Sequence, residues 1–176
     1  MSRFRPASAA RARSPSFRRS REAEAVGVRV QTADFDLSRE VKQLVGGRTD
    51  VGAIVTFTGT VRDQAKGQPI TAMALEHYPG MTEAELERVE AEARLRWPLQ
   101  ATLIIHRYGE LKPGDNIVLV VTASAHRQAA FEAAEFLMDY LKTRAPFWKK
   151  ETPAEGESHW VDARESDDAA AERWRR

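Results

Sequence analysis

Residues 124–151 read SAHRQAAFEAAEFLMDYLKTRAPFWKKE, a helix that passes almost directly into a strand. Between Ser124 and Thr143 there is neither Gly nor Pro, and Ala and Leu are frequent, so helix propensity is high throughout. Pro146 pushes Ala145 out of the helical region and ends the helix near Thr143 or Arg144. At about 100° per residue from Phe131, the side chains of Met138, Ala134, Leu141, Ala130 and Leu137 share one arc, which predicts the core face. Gln128, Glu132, Glu135 and Asp139 take the other side, and Lys142 falls roughly 20° from Phe131, on the border. A border lysine either snorkels, with a packed stem and a wet ammonium, or serves a site.

Ser124 is the predicted N-cap, placing His126 and Arg127 in the first turn and toward the apolar arc. A helix N-terminus disfavours cations by about 0.3–1 kcal/mol, while its free N–H groups attract anions. An anionic ligand resolves that conflict; a salt bridge from Arg127 to a distant acid, with His126 neutral, resolves it equally well. Beyond the helix, Lys149 and Lys150 follow Phe147 and Trp148, and no acid lies between Lys142 and Lys150.

The chain has 176 residues, room for one domain with a real core. Its 27 basic and 26 acidic side chains leave a net charge of +1, so the protein as a whole is no polyanion binder and any basic site is local. No apolar window reaches the length of a membrane span, which predicts a soluble, cytoplasmic protein. Cysteine is absent, which excludes disulfides, thiolate metal sites and sulfur carried covalently on this chain. The four histidines, His77, His106, His126 and His159, lack ligand spacing, so no metal and no cofactor is expected.

Residues 1–25 carry Arg3, Arg5, Arg11, Arg13, Arg18, Arg19 and Arg21 among Ser, Ala and Pro, with no acid before Glu22. This composition predicts a disordered basic arm. It resembles a mitochondrial transit peptide, and a translated extension in an arginine-rich bacterial protein accounts for it as well. Were the arm to bind nucleic acid, binding would weaken steeply with salt and vanish on its deletion; no nucleic-acid partner is expected.

Residues 26–176 read as the folded domain. Val26–Val30 alternate as a strand, and Leu37, Val41 and Leu44 recur at helical spacing before Gly46 and Gly47. Val51, Ala53, Val55 and Phe57 form a strand leading to Thr60, Val61 and Arg62. After the loop DQAKGQP a further strand runs from Ile70 to His77, and the two are predicted to pair as a long-looped hairpin. Thr82 and Glu85 suggest a capping box for a helix presenting Leu86, Val89, Ala93 and Trp97. ATLIIHRYG and NIVLVVTAS, joined by the turn ELKPGD, are apolar enough to be buried on both faces. FWKKET and HWVDAR form a last hairpin, and a polar helix from Ser166 is expected to fray. Helices and strands mix without strict alternation, so the class is α+β.

Several long motifs, in order, resemble one family: VTFTGTVRD, LEHYPGMTEAELERVEAEARLRWP, IIHRYGELKPGD, SAHRQAAFEAAEFLMDYLKTRAPFWKKE and HWVDARESD. They are similar to the catalytic (large) subunit of molybdopterin synthase over about residues 26–174. The resemblance implies an α/β hammerhead-like lobe with an additional antiparallel β-sheet, and a homodimer within a heterotetramer. It implies sulfur transfer to cyclic pyranopterin monophosphate, forming the dithiolene of molybdopterin for molybdenum cofactor. The sulfur arrives as the C-terminal Gly-Gly thiocarboxylate of a ubiquitin-like small subunit, which suits a chain without cysteine.

The family's substrate-binding positions fall on Thr60, Val61, Arg62, His126, Arg127, Lys142, Lys149, Lys150, Glu151 and Arg164, with Phe57 and Met138 lining the pocket. Thr60 stands where some relatives carry lysine, and one extra residue near Ser158 precedes Arg164. A cyclic phosphate and a carboxyl-terminal tail are both anionic, and guanidinium and ammonium groups hold such groups by charge-assisted hydrogen bonds. A lysine at a core edge among cations is expected to lose basicity. That suits Lys142 to general acid–base work or transient acyl acceptance, with Lys149 the second catalytic candidate. The reading from another class is a non-catalytic module that binds a ubiquitin-like partner; the set Arg62, His126, Arg127, Lys142 and Lys149 weighs against such decay.

Overall fold

The computed structural model describes residues 25–65, 67–161 and 165–175. The predicted arm, up to residue 24, and Arg164 lie outside the described residues. In chain order the elements are β1 (Ala25–Gln31), α1 (Leu37–Val45), β2 (Ala53–Thr60), β3 (Gln64–Ala65), β4 (Gln68–His77), α2 (Met81–Arg96) and β5 (Leu99–Arg107). They continue with β6 (Gly109–Leu111), β7 (Asn116–Ser124), α3 (Arg127–Thr143), β8 (Phe147–Pro153), β9 (His159–Val161), α4 (Glu165–Glu172) and a closing 3₁₀ turn at Arg173–Arg175.

The long apolar strands β5 and β7 pair antiparallel at the centre of the first sheet, whose order is β1-β5-β7-β2 with β1 parallel to β5. Both of its faces are buried, as their composition predicts. On one face Ile104, Val118 and Val120 meet Leu86, Val89 and Ala93 of α2 and Ala133, Phe136 and Leu137 of α3. On the other, Leu103, Ile105, Leu119 and Val121 meet Phe35, with Val41 and Leu44 of α1 against them. The second sheet is antiparallel, β3-β4-β8-β9, and β6 adds to β4. This is the predicted α+β class, a hammerhead-like lobe with an additional antiparallel sheet.

Four local expectations are corrected. β2 and β4 do not form a hairpin: β2 pairs with β7, and β4 pairs with β8 and β6. The intervening chain is diverted at Val61, whose N–H donates to Asp115 O at 2.9 Å and whose carbonyl accepts from Gly114 N at 2.8 Å. The N-cap of α2 is Gly80, at φ 82°, and Glu83 rather than Glu85 reaches back to accept from Gly80 N at 2.7 Å. Thr82 is fully buried, its hydroxyl donating to Tyr78 O at 3.0 Å. At α3 the N-cap is His126, not Ser124; Ser124 ends β7 and its hydroxyl donates to Pro98 O at 3.0 Å.

The fourth correction concerns the face of α3. Its buried residues are Ala129, Ala130, Ala133, Ala134, Phe136, Leu137, Tyr140 and Leu141, whereas Phe131 is 61% exposed. At about 100° per residue the buried stripe centres roughly 80° from the predicted arc, and Phe131 and Lys142 then belong to the polar side with Glu135 and Asp139. The aromatic cluster of Phe136 with Trp97, Tyr140 and Trp174 draws the helix round to that setting. The same cluster ties down the C-terminus that was expected to fray. Trp174 Nε1 donates to Asp139 at 2.7 Å, and Arg96 donates to Trp174 O at 2.8 Å.

Candidate functional site

Where β2 ends, a register shift at Gly59/Thr60 loosens the strand from β7, and the clamp on Val61 buries that side chain while the exposed Arg62 stands at the pocket rim. Across from them, β8 lies in register with β4, Lys149 opposite Leu75 and Glu151 opposite Met73. Strand side chains alternate, so Lys149 and Glu151 share the inner face. Val61, Ile70, Met73, Leu75 and Leu111 make an apolar floor beneath it. Thr60, Val61, Arg62, Gln64, Ile70, Met73, Ile117, Lys149 and Glu151 enclose a pocket of about 40 Å³ between the two sheets.

Five sequence-predicted site residues therefore converge: Thr60, Val61, Arg62, Lys149 and Glu151. Glu151 is only 4% exposed and its carboxylate is ion-paired with the half-buried Lys149 ammonium. A buried carboxylate needs such a partner, so the pair holds Lys149 at the pocket wall beside Arg62. The arrangement offers two cations to an anionic ligand, and a lysine–glutamate couple able to hold a proton.

The other predicted residues lie elsewhere. Lys150 points to the opposite face of β8, its ammonium 5.6 Å from the Trp160 ring. Lys142 is exposed in the last turn of α3, so the core-edge desolvation expected of it is absent from the single chain. Met138 is half-buried against the first core cluster and Phe57 is 39% exposed. His126 and Arg127 are exposed at the start of α3, whose first turn contains no acid. Sequence reasoning missed Gln64, Ile70, Met73 and Ile117. Alternation along β4 carried the signal for Met73, but only with the correct partner for that strand.

A ring cluster borders this site. The His106 imidazole lies 3.7 Å from the Phe147 ring at 17°, and His77 lies 4.4 Å from Tyr108. Burial pushes His106 down to about 4, helped by nearby His77 and opposed by its hydrogen bond to the Arg107 carbonyl. Since this pKa is lower when folded, the unfolded chain binds more protons below pH 6.5. His106 therefore costs no stability above pH 6.5, and stability falls as pH drops toward 4, by roughly 3 kcal/mol in all. His106→Phe is expected to flatten that part of the stability–pH curve, measured by denaturant unfolding at pH 4.5 and 7.

A wider surface groove, about 580 Å³, runs along Glu90, Ala91, Arg94, Leu95, Trp97, Pro98 and Leu99 and contains none of the candidate site residues. Among the described residues no group of His, Cys, Asp and Glu is arranged to hold a metal, and no helix is long and apolar enough to cross a membrane.

Comparison with known proteins bears on the same segments. The MoaE protein family model matches residues 30–144. The molybdopterin synthase catalytic subunit of Mesorhizobium japonicum is 60% identical over 149 residues, covering 84% of this chain and 92% of the relative. The molybdopterin biosynthesis MoaE protein from Burkholderia ambifaria superposes with a TM-score of 0.72 at 53% identity, over 85% of this chain and 97% of that one. A chain from the protein-protein complex of subunit 1 and 2 of Molybdopterin-converting factor from Helicobacter pylori, 21% identical, shares the fold with a TM-score of 0.63 over 78% of this chain and 90% of that one. With the match spanning the three helices that pack on the central sheet and the strand leading to Arg62, this chain belongs to the MoaE family, the catalytic subunits of molybdopterin synthase in molybdenum cofactor biosynthesis.

Proposed function

We propose that the chain catalyses sulfur transfer from the C-terminal thiocarboxylate of a ubiquitin-like small subunit to cyclic pyranopterin monophosphate, producing the dithiolene of molybdopterin in the cytoplasm. The observation that carries this reading is the convergence of Arg62 and Lys149 on one pocket, with Glu151 holding Lys149 in place. Two cations at one wall suit a cyclic phosphate or a carboxyl-terminal tail. The absence of cysteine means that the transferred sulfur arrives on another molecule, and the Helicobacter pylori neighbour was solved with a second subunit.

In this reading Arg62 and Lys149 anchor the anionic substrate, and Lys142 supplies general acid–base catalysis or accepts the acyl group transiently. His126, Arg127, Lys150 and Arg164 add cationic contacts, while Phe57 and Met138 line the cavity. A pocket of about 40 Å³ is far below the roughly 300 Å³ and more of a small-molecule site, and in this reading a second copy completes it. Helix α3 is continuous from Arg127 to Thr143. A rise of about 1.5 Å per residue puts the backbones of His126 and Lys142 roughly 24 Å apart. In the homodimer, His126 and Arg127 of one protomer meet Lys142 and Lys149 of its partner, and one small subunit caps each site.

The test is reconstitution: the protein mixed with thiocarboxylated small subunit and cyclic pterin forms dithiolene, and neither protein does so alone. Absence of product from the complete mixture, with docking of the small subunit retained, would favour the non-catalytic module. Arg62→Ala and Lys149→Ala are each expected to weaken pterin binding about tenfold or more, the value of a charge-assisted hydrogen bond at roughly 1.5–3 kcal/mol. Titration with the cyclic pterin checks this, and unchanged affinity with slower turnover would move these residues from anchoring into chemistry. Lys149→Ala also leaves the Glu151 carboxylate buried without its partner, so its melting temperature is expected to fall while that of Arg62→Ala does not.

A further inference from the structure

We infer that His106 is a positioning residue: its ring, stacked on Phe147, sets where β8 starts and thereby places Lys149 at the pocket wall. The inference rests on the reading of Lys149 as a substrate contact and adds a residue that touches no substrate. His106 is the penultimate residue of β5 in the first sheet, and Phe147 opens β8 in the second. The 3.7 Å stack therefore joins the two lobes at the point where the chain passes from α3 into the strand bearing Lys149 and Glu151.

Three residues, Arg144 to Pro146, connect α3 to β8. Phe147 N donates to Ala145 O at 2.8 Å in a tight turn, pairing with β4 begins at Phe147 itself, and the ring stack ties that first residue to β5 of the other sheet. Phe147 and Lys149 are two positions apart, about 6.6 Å along one face of the strand. A displacement of the first residue is thus passed to the second. The His106 ring cannot swivel freely, because Nδ1 donates to the Arg107 carbonyl oxygen at 2.9 Å and the side chain is buried. His77 of β4, opposite Phe147 in register, and Tyr108, whose ring lies 4.4 Å from that of His77 at 46°, complete the ring cluster.

The test is a mutant cycle on the full chain with its small subunit. Pterin affinity and turnover are both measured for wild type, His106→Leu, His106→Phe, Lys149→Ala and His106→Leu/Lys149→Ala, and the cycle is scored on whichever quantity Lys149→Ala lowers. His106→Leu is expected to lower it in the same sense. His106→Phe, which keeps a ring against Phe147, is expected to stay at the wild-type level. The double variant is expected to be no worse than Lys149→Ala, since a residue acting through Lys149 has nothing left to position. Wild-type behaviour of His106→Leu, or losses that multiply in the double variant as two independent sites do, would overturn the inference. Phe147→Leu removes the other ring and repeats the cycle if His106→Leu does not fold. A wild-type protein that neither binds nor converts the pterin refutes the function itself, a result separable from any difference among the variants.

Discussion

Lys142→Ala is expected to reduce turnover by about 10²–10⁴-fold, the usual contribution of a general acid or base, while leaving the melting temperature unchanged. Lys142 is exposed on the polar side of α3, so truncation removes no core packing, and Tyr140 and Leu141, which do pack, remain. Single-turnover sulfur transfer with a preformed thiocarboxylated small subunit measures the effect apart from product release. A variant that keeps more than about a tenth of the wild-type rate excludes Lys142 from proton transfer.

Subunit mixing gives the second large effect. Arg127→Ala and Lys142→Ala homodimers should both be nearly inactive, yet controlled exchange between them should restore activity, because each heterodimer has one site built wholly from intact residues. The length of α3 motivates this: its two ends lie too far apart to reach one small pterin within a protomer. Exchange that demonstrably forms heterodimers without recovering activity, while wild-type exchanged dimers remain active, would rule out sites shared across the two-fold axis.

The first sheet was legible because its strands speak locally. The unbroken apolar runs of β5 and β7 need burial on both faces, and they have it. The pairing of β2 and β4 was not legible, because proximity in sequence favours a hairpin and the decisive contacts, Val61 to Asp115 and Gly114, come from more than fifty residues away. The face of α3 was misjudged for a similar reason. Phe131 is large and apolar but exposed, and Phe136 is buried by Trp97 and Trp174 from distant elements. At the site, Arg62, Lys149 and Glu151 were identified as candidates, but not the ion pair that separates Lys149 from Lys150, which depends on strand register.

The unequal strand lengths of the two sheets imply unequal cooperativity. β5 and β7 each span nine residues beneath packed helices on both faces, whereas in the second sheet only β4 and β8 are long, at ten and seven residues, and their neighbours β3, β6 and β9 span two, three and three. Amide protons at the centre of the first sheet should exchange only through global unfolding, while those of the second sheet should escape through smaller openings. The strand bearing Lys149 thus belongs to the softer unit, so the pocket wall can loosen without the hammerhead lobe unfolding.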